Sequence, residues 1–386
     1  MPAAERSPRR VEDRLATRGG AVELLRAPAL LFGVVARARG WLYARRWMTV
    51  LAVDTPVISV GNLVAGGTGK TPFVAWLVER LAARGVRAGI LSRGYRPRSS
   101  RAGAAERGPN DEARMLAELL PHVPHVEDKD RVRGAQALEG QRVDVIVLDD
   151  GFQHRRLARD LDLVLVDATR PFGLAPPPGD PAAPPVRALL PRGLMREPAT
   201  ALRRAHALVI TRSDAVGAGA LDALERELSE LAPGVPIARA VHAPAGLRCI
   251  VGAERGGPDP SLSWLRGRAV DLVSGIGNPA AFERTVRELG ADVCEQRRFP
   301  DHHRFTAADL AGLGARPVLV TAKDAARCAG QAPSPWPAAA PGLQVFALDV
   351  ALRVTHGEDA LERLLDGLPE SDVRRQRSAL HEGLHG

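Results

Sequence analysis

Apolar positions in this chain gather into short, nearly continuous runs. Residues 57–60, 88–91, 143–148, 163–166 and 207–210 are such runs, rich in Val, Ile and Leu. Runs of this length read as strands buried on both faces, as in a parallel sheet. Between them the apolar spacing turns helical, at 73–84, 111–120 and 218–232, with Gly85 just past the end of the first. The alternation then restarts, with strands at 269–273, 317–321 and 345–350 and a helix at 280–289. Strand–helix alternation predicts an α/β fold built on a doubly wound parallel sheet. A chain of 386 residues suits two domains. The expected division is an N-terminal helical segment over 1–55, a main domain over 56–240, a smaller α/β domain over 241–368 and a disordered tail over 369–386. A Pro-rich stretch at 174–186 and a Pro/Ala-rich one at 331–342 read as loops.

The clearest chemistry follows the first strand. Residues 56–71 read PVISVGNLVAGGTGKT, a buried-type strand, a glycine-rich turn and a helix start. Glycines let backbone N–H groups approach phosphate oxygens, and the helix N-terminus adds unpaired donors. Lys70 is placed to reach the terminal phosphates, and the Thr71 hydroxyl to sit on Mg²⁺. The pattern is irregular: the common phosphate loop has glycine where Val64 stands, and Gly61 is three residues too early to supply it.

Other polar residues fall at strand ends, where ligands of open α/β sheets collect. The 143–148 run delivers Asp149-Asp150-Gly151-Phe152-Gln153-His154. Two adjacent carboxylates downstream of a phosphate loop suit Mg²⁺ and its waters; a plain strand-end turn is the other reading. Arg93 follows the second strand as a candidate phosphate contact or an ordinary surface arginine. Asp111-Glu112 open a helix, either for catalysis or to complement its dipole. Arg196 and Glu197 suit phosphate and metal chemically. Thr211-Arg212-Ser213-Asp214 faintly matches a guanine-reading motif, but a strand-end turn explains it better. Gly275-Ile276-Gly277 reads as turn chemistry, and 298–303, RFPDHH, as a polar cluster with two histidines.

Composition narrows the partners. The formal charge is +8, and the only lysines are Lys70, Lys129 and Lys323, so 53 − 3 = 50 of the basic residues are arginine. That balance fits an anionic membrane, a phosphorylated substrate or nucleic acid. With 4% aromatics and no aromatic–basic interleaving, nucleic acid is not expected. Cys249, Cys294 and Cys328 lie far apart without a CxxC pair, which points away from zinc and disulfides and towards a reducing cytosol. The apolar stretch 27–36 is shorter than the roughly 20 residues a bilayer demands. Around it Leu24, Leu25, Trp41, Leu42, Tyr43 and Trp47 interleave with Arg26, Arg37, Arg39, Arg45 and Arg46. This pattern describes an amphipathic helix that lies in a membrane interface or packs on the protein's own core.

Taken together, these motifs resemble the tetraacyldisaccharide 4'-kinase family, the lipid A kinases of Gram-negative bacteria. The resemblance runs from about Trp41 to Cys328. It rests on PVISVGNLVAGGTGKTP, LSRGY, the Asp-Glu after the basic loop, VLDDGFQHRRLARDLDLVLVDA, LLPRG with REP, SGIGNPAAF, FPDHH and VTAKDA. The irregular phosphate loop is also the family's form. Departures are Asn110 and Ala113 around Asp111-Glu112, where Gly and Pro are usual, and Ala322 before Lys323-Asp324, where Glu is usual.

The resemblance implies a P-loop NTPase-like doubly wound parallel sheet with a second, smaller α/β domain and an N-terminal amphipathic helix. It implies a peripheral enzyme on the cytoplasmic face of the inner membrane, using ATP and Mg²⁺. The γ-phosphate would pass to the 4'-hydroxyl of a tetraacylated glucosamine disaccharide 1-phosphate, the lipid A disaccharide precursor, giving lipid IVA. By position, Val64, Ala65, Gly66, Gly67, Thr68, Gly69, Lys70 and Thr71 match the ATP loop. Asp111 matches the catalytic aspartate and His302 the histidine paired with it. Asp149, Asp150 and His154 match groups near Mg²⁺ and the phosphates, with Asp149, Thr71 and Glu197 towards the metal. A monomer is the expected state. The competing classes are a P-loop GTPase or metallochaperone-type switch, which needs a true guanine-reading motif, and a membrane-bound ATP-binding protein without transfer activity.

Overall fold

The structure is a computed structural model. It describes residues 15–17, 19–94, 111–174, 185–252, 258–277, 279–300, 303–329, 331, 336 and 343–369, with backbone alone at 111, 112 and 114. The first half runs α1 (Arg26–Ala44), β1 (Val57–Asn62), α2 (Lys70–Ala83), β2 (Ala88–Ser92), α3 (Asp111–Leu119), β3 (His125–Glu127), α4 (Arg131–Glu139), β4 (Val145–Asp149), β5 (Leu161–Asp167), β6 (Ala207–Thr211) and α5 (Ala218–Leu231). The second half runs β7 (Ile237–Val251), β8 (Ala269–Ser274), α6 (Pro279–Glu288), β9 (Asp292–Arg298), β10 (Val318–Thr321), α7 (Ala322–Ala329), β11 (Val345–His356) and α8 (Glu358–Asp366).

All eleven strands belong to one sheet, in the order β3-β2-β4-β1-β5-β6-β7-β11-β10-β8-β9. Strands β1, β4, β5 and β6 are buried along their whole length, as their unbroken apolar runs require. Strand β1 lies between β4 and β5, parallel to both, with Val60 opposite Asp149 and Asn62 opposite Leu165. The loop after β1 therefore emerges beside the Asp149-Asp150 turn. The only antiparallel pair in the order is β7 with β11, a long irregular ribbon that joins the two halves. Sequence patterning missed β7, because IARAVHAPAGLRCIV carries Pro244, Gly246 and two arginines among its apolar residues. Lys323 and Asp324 lie in the first turn of α7, just past β10.

Three core clusters cover the main half, and two of them flank its central strands. Phe73, Val74, Leu77 and Leu81 of α2 pack on one side of the sheet with Ile58, Val60, Leu163 and Val209. On the other side Leu63, Val164, Leu208 and Ile210 meet Phe152, Leu224 and Leu228. Helix α1 rests on the protein through Ala29, Gly33 and Tyr43. Its other face leaves Leu30 and Leu31 70% and 66% exposed, with Val34, Val35 and Trp41 also in the open. No helix among the described residues is long and apolar enough to cross a membrane.

The close approach of β1 to the turn after β4 gives a test of packing. A Cβ built on Gly61 would stand 2.5 Å from Phe152 Cβ and 2.8 Å from Phe152 N. Backbone cannot yield as a flexible side chain can, so Gly61→Ala is expected to destabilise by about 1–3 kcal/mol. Chemical denaturation checks this; wild-type stability would contradict it.

Candidate active site

The loop over residues 63–69 leaves β1 and enters α2 at Lys70. Gly69 is left-handed, φ 84°, and caps the helix, so its amide neighbours present an unpaired N-terminus. At Gly66 and Gly67 an added Cβ would meet nothing within 4 Å, so the loop is open at these two positions. At Gly69 the same atom would stand 2.6 Å from His242 Nε2, so the loop is backed there by β7.

Lys70 is buried, 8% exposed, and its ammonium is held at the loop. Its Nζ lies 3.5 Å from Asp150 Oδ1 and 3.4 Å from Asn62 Oδ1. Asn62 in turn donates Nδ2 to Val64 O at 2.8 Å, and Gln153 Nε2 donates to Asn62 O at 2.9 Å. Asp150 is also gripped by Arg196 Nη1, at 2.9 Å from each carboxylate oxygen. Burial pushes the Asp150 carboxyl up, but Lys70 and Arg196 outweigh it and hold the group below its ordinary value. Asp150 sits at φ 53°, a left-handed backbone uncommon outside glycine, which turns its side chain back towards the loop's lysine.

Asp149, 5% exposed, ends β4. Its carbonyl accepts from Arg131 Nη2 at 3.2 Å, and Arg131 is itself only 2% exposed. Desolvation lowers the Arg131 guanidinium to about 10 although Asp149 and Asp150 oppose the shift. His154 follows in the same turn and is held neutral: burial, then Arg131 and Arg159, bring it down to about 4. Glu197 accepts from Arg204 Nη1 at 2.7 Å, and Arg204 lies over the Phe152 ring. A cavity of ≈ 260 Å³ opens here between α1 and the site, lined in part by Arg39, Arg155, Arg196 and Arg204. Arg39 donates to Gln153 O at 3.1 Å and Arg155 to Gly40 O at 3.0 Å, which docks α1 against this turn.

The structure thus brings together Lys70, Asp150, Asp149 and the loop. The Asp111 side chain and all of His302 lie outside the described residues. The backbone of Asp111 begins α3, whose Ala113 and Leu116 are buried and which packs on α2 and on α7. Helix α7 carries Arg327, which donates to His303 O at 3.3 Å and to Asp324 Oδ1 at 2.9 Å. The segments holding Asp111 and the FPDHH motif are therefore linked through the α3–α7 contact. Asn62, Arg131 and Arg212 were not singled out as site groups from sequence. Their roles depend on distant partners, although Asn62, inside the loop motif, and Arg212, inside the Thr211–Asp214 stretch, carry a local cue.

This is a P-loop α/β protein whose lysine, aspartates and glycine cradle are arranged for phosphoryl chemistry. The comparisons specify it further. The family model described as Tetraacyldisaccharide-1-P 4'-kinase matches residues 21–369. A tetraacyldisaccharide 4'-kinase of Anaeromyxobacter sp. (strain K) is 42% identical over 363 residues, covering 88% of this chain and 90% of that one. One from Geobacter sulfurreducens is 38% identical, with 86% and 93% covered. The crystal structure of LpxK from Aquifex aeolicus in complex with ATP is similar at TM-score 0.65 and 30% identity, covering 90% of this chain and 98% of that one. The chain belongs to the tetraacyldisaccharide 4'-kinase family.

His242 gives the site a pH signature. Burial, then Arg212, brings its imidazole from 6.5 down to about 4, with Asp167 opposing. As pH falls from 6.5 towards 4 the unfolded chain takes up a proton that the folded one does not, so stability drops across that window. His242→Gln is expected to flatten the fall of melting temperature between these pH values; an unchanged slope would contradict the neutral, buried imidazole.

Proposed function

We propose that the chain transfers the γ-phosphate of ATP to the 4'-hydroxyl of a tetraacylated glucosamine disaccharide 1-phosphate, as a step of lipid A synthesis. The observation that carries this reading is the buried Lys70 ammonium held between Asp150 and Asn62 beneath an open glycine loop. Phosphoryl transfer asks for positioning and neutralisation of phosphate charge more than for covalent chemistry. Lys70 and the loop amides supply both. Asp111, oriented by His302, takes the proton of the sugar hydroxyl, and the α3–α7 contact supports the approach of these two segments. Four arginines around the cavity beside Asp150 suit an acceptor that carries a phosphate of its own.

The residues fit Mg²⁺. Mg²⁺ takes one or two carboxylates, nucleotide phosphates and waters, and a buried hydroxyl and carboxylate, Thr71 and Asp149, are donors of that kind. Thr71 and Asp149 would hold it, with Glu197 nearer the cavity. Bound there, Mg²⁺ supplies neutralisation of the triphosphate charge.

Radiolabelled ATP with a lipid A disaccharide precursor should give a phosphorylated lipid. Asp111→Ala is expected to lower kcat by about 10²–10⁴-fold while ATP affinity stays near wild type. Lys70→Ala should impair both. Equal losses of turnover and ATP affinity in Asp111→Ala would remove the general-base role.

The enzyme acts, in this reading, at the cytoplasmic face of the inner membrane. The apolar outer face of α1, with the arginines around it, suits the interface of an anionic bilayer. The combined variant Leu30→Ser, Leu31→Ser, Val34→Ser and Val35→Ser should cosediment less with anionic vesicles while remaining folded. Undiminished cosedimentation would contradict the membrane role of this face.

A further inference from the structure

We propose that Thr211 and Arg212, backed by Asp167 and His242, are positioning residues that hold the phosphate loop in its ATP-binding shape. This rests on the kinase reading and extends it to a motif that the phosphate and acceptor sites leave unused. Strand β6 lies two places from β1 in the sheet, with β5 between, yet its end reaches the loop. Thr211, fully buried, donates Oγ1 to Thr68 O at 2.9 Å. Arg212 donates Nη1 to Gly67 O at 3.2 Å.

In a trans peptide the C=O and the following N–H point in opposite directions. Pinning the carbonyls of Gly67 and Thr68 outward therefore turns the amides of Thr68 and Gly69 inward, away from β6. Those amides belong to the phosphate cradle. Without the outer donors the two peptide planes are free to rotate, and glycine at 67 and 69 does nothing to prevent it.

The brace is itself anchored. The Arg212 backbone is left-handed, φ 53°, a conformation that persists in a non-glycine residue only when its surroundings enforce it. Its guanidinium pairs with Asp167 Oδ2, and Asp167 is 1% exposed. The other carboxylate oxygen accepts from Thr169 N at 2.9 Å and Thr169 Oγ1 at 2.7 Å, which fixes the carboxylate. The His242 ring closes the assembly behind Gly69, where any side chain would collide with it. Because Arg212 and Asp167 cancel in charge, the brace contributes orientation and not net attraction.

The test compares Thr211→Val with Thr211→Ser. The first keeps the volume and loses the donor; the second keeps the donor. Thr211→Val should raise both KM for ATP and the calorimetric Kd for ATP about fivefold, the size of one lost hydrogen bond. Its kcat and its KM for the lipid acceptor should stay within about twofold of wild type. Thr211→Ser should restore ATP affinity. Arg212→Lys keeps the charge opposite Asp167 and loses the fork that also reaches Gly67 O, so it should weaken ATP binding alike and carries the test if Thr211→Val fails to fold. Wild-type ATP affinity in the folded variants, or a Thr211→Ser variant as impaired as Thr211→Val, would overturn the brace. Calorimetry needs no turnover, so a wild type that binds ATP without phosphorylating the disaccharide would overturn the kinase reading and leave the brace separately decided.

Discussion

A lysine taken out of water holds its charge only if something nearby compensates the lost hydration. In this protein the compensation for Lys70 is Asp150, and much of the site follows from that pairing. Asp150 must turn back from the end of β4, which forces its left-handed backbone. It must also remain ionised although mostly buried, which Arg196 helps to secure from the opposite side. Arg196 is delivered by a segment bound to the loop's first residues, through Ala65 N to Leu194 O and Arg196 N to Leu63 O. One carboxylate in two ion pairs thus links the β1 loop, the β4 turn and the 188–196 segment into a single unit.

The two halves of the molecule contribute differently to this unit. The first half supplies the loop and its carboxylates from adjacent parallel strands. The second reaches it through α7, which packs on α3, and through β7, whose His242 lies behind Gly69. The β7–β11 ribbon therefore carries both the covalent link between halves and a direct contact with the phosphate loop.

Much of this was legible before any coordinates. The buried strands, the helices after them and the loop followed from apolar runs and glycine spacing, because these signals are local. The aspartate pair was legible as strand-end chemistry, but its partners were not: nothing in the order of residues says that Asp150 faces Lys70 and Arg196, or that Glu197 is taken by Arg204. Strand β7 was missed because its outward positions carry arginines and its course is broken by Pro244. At Thr211–Asp214 the strand-end turn, preferred over a faint guanine motif, is what the structure has, with a short 3₁₀ turn over Ser213–Ala215; that the Thr211 hydroxyl and Arg212 guanidinium turn to the loop carbonyls was not legible, because those partners are distant in sequence. The N-terminal sequence fits both a membrane-interface helix and a self-packed one, and the helix has a face for each: one is packed on the protein and the other is bare.

Among the described residues the sheet of eleven strands does not close and has two free margins, each a template on which another chain can add a strand. Here both margins are blunted. At one end β3 contributes three residues, His125–Glu127, too few to offer a long ladder. At the other, β9 reads DVCEQRR, and its four charged side chains, Asp292, Glu295, Arg297 and Arg298, penalise intrusion by a second backbone. Because the antiparallel ribbon fuses what would otherwise be two sheets, two further margins never arise, and only ten residues, three in β3 and seven in β9, stand at the ends of a large open sheet.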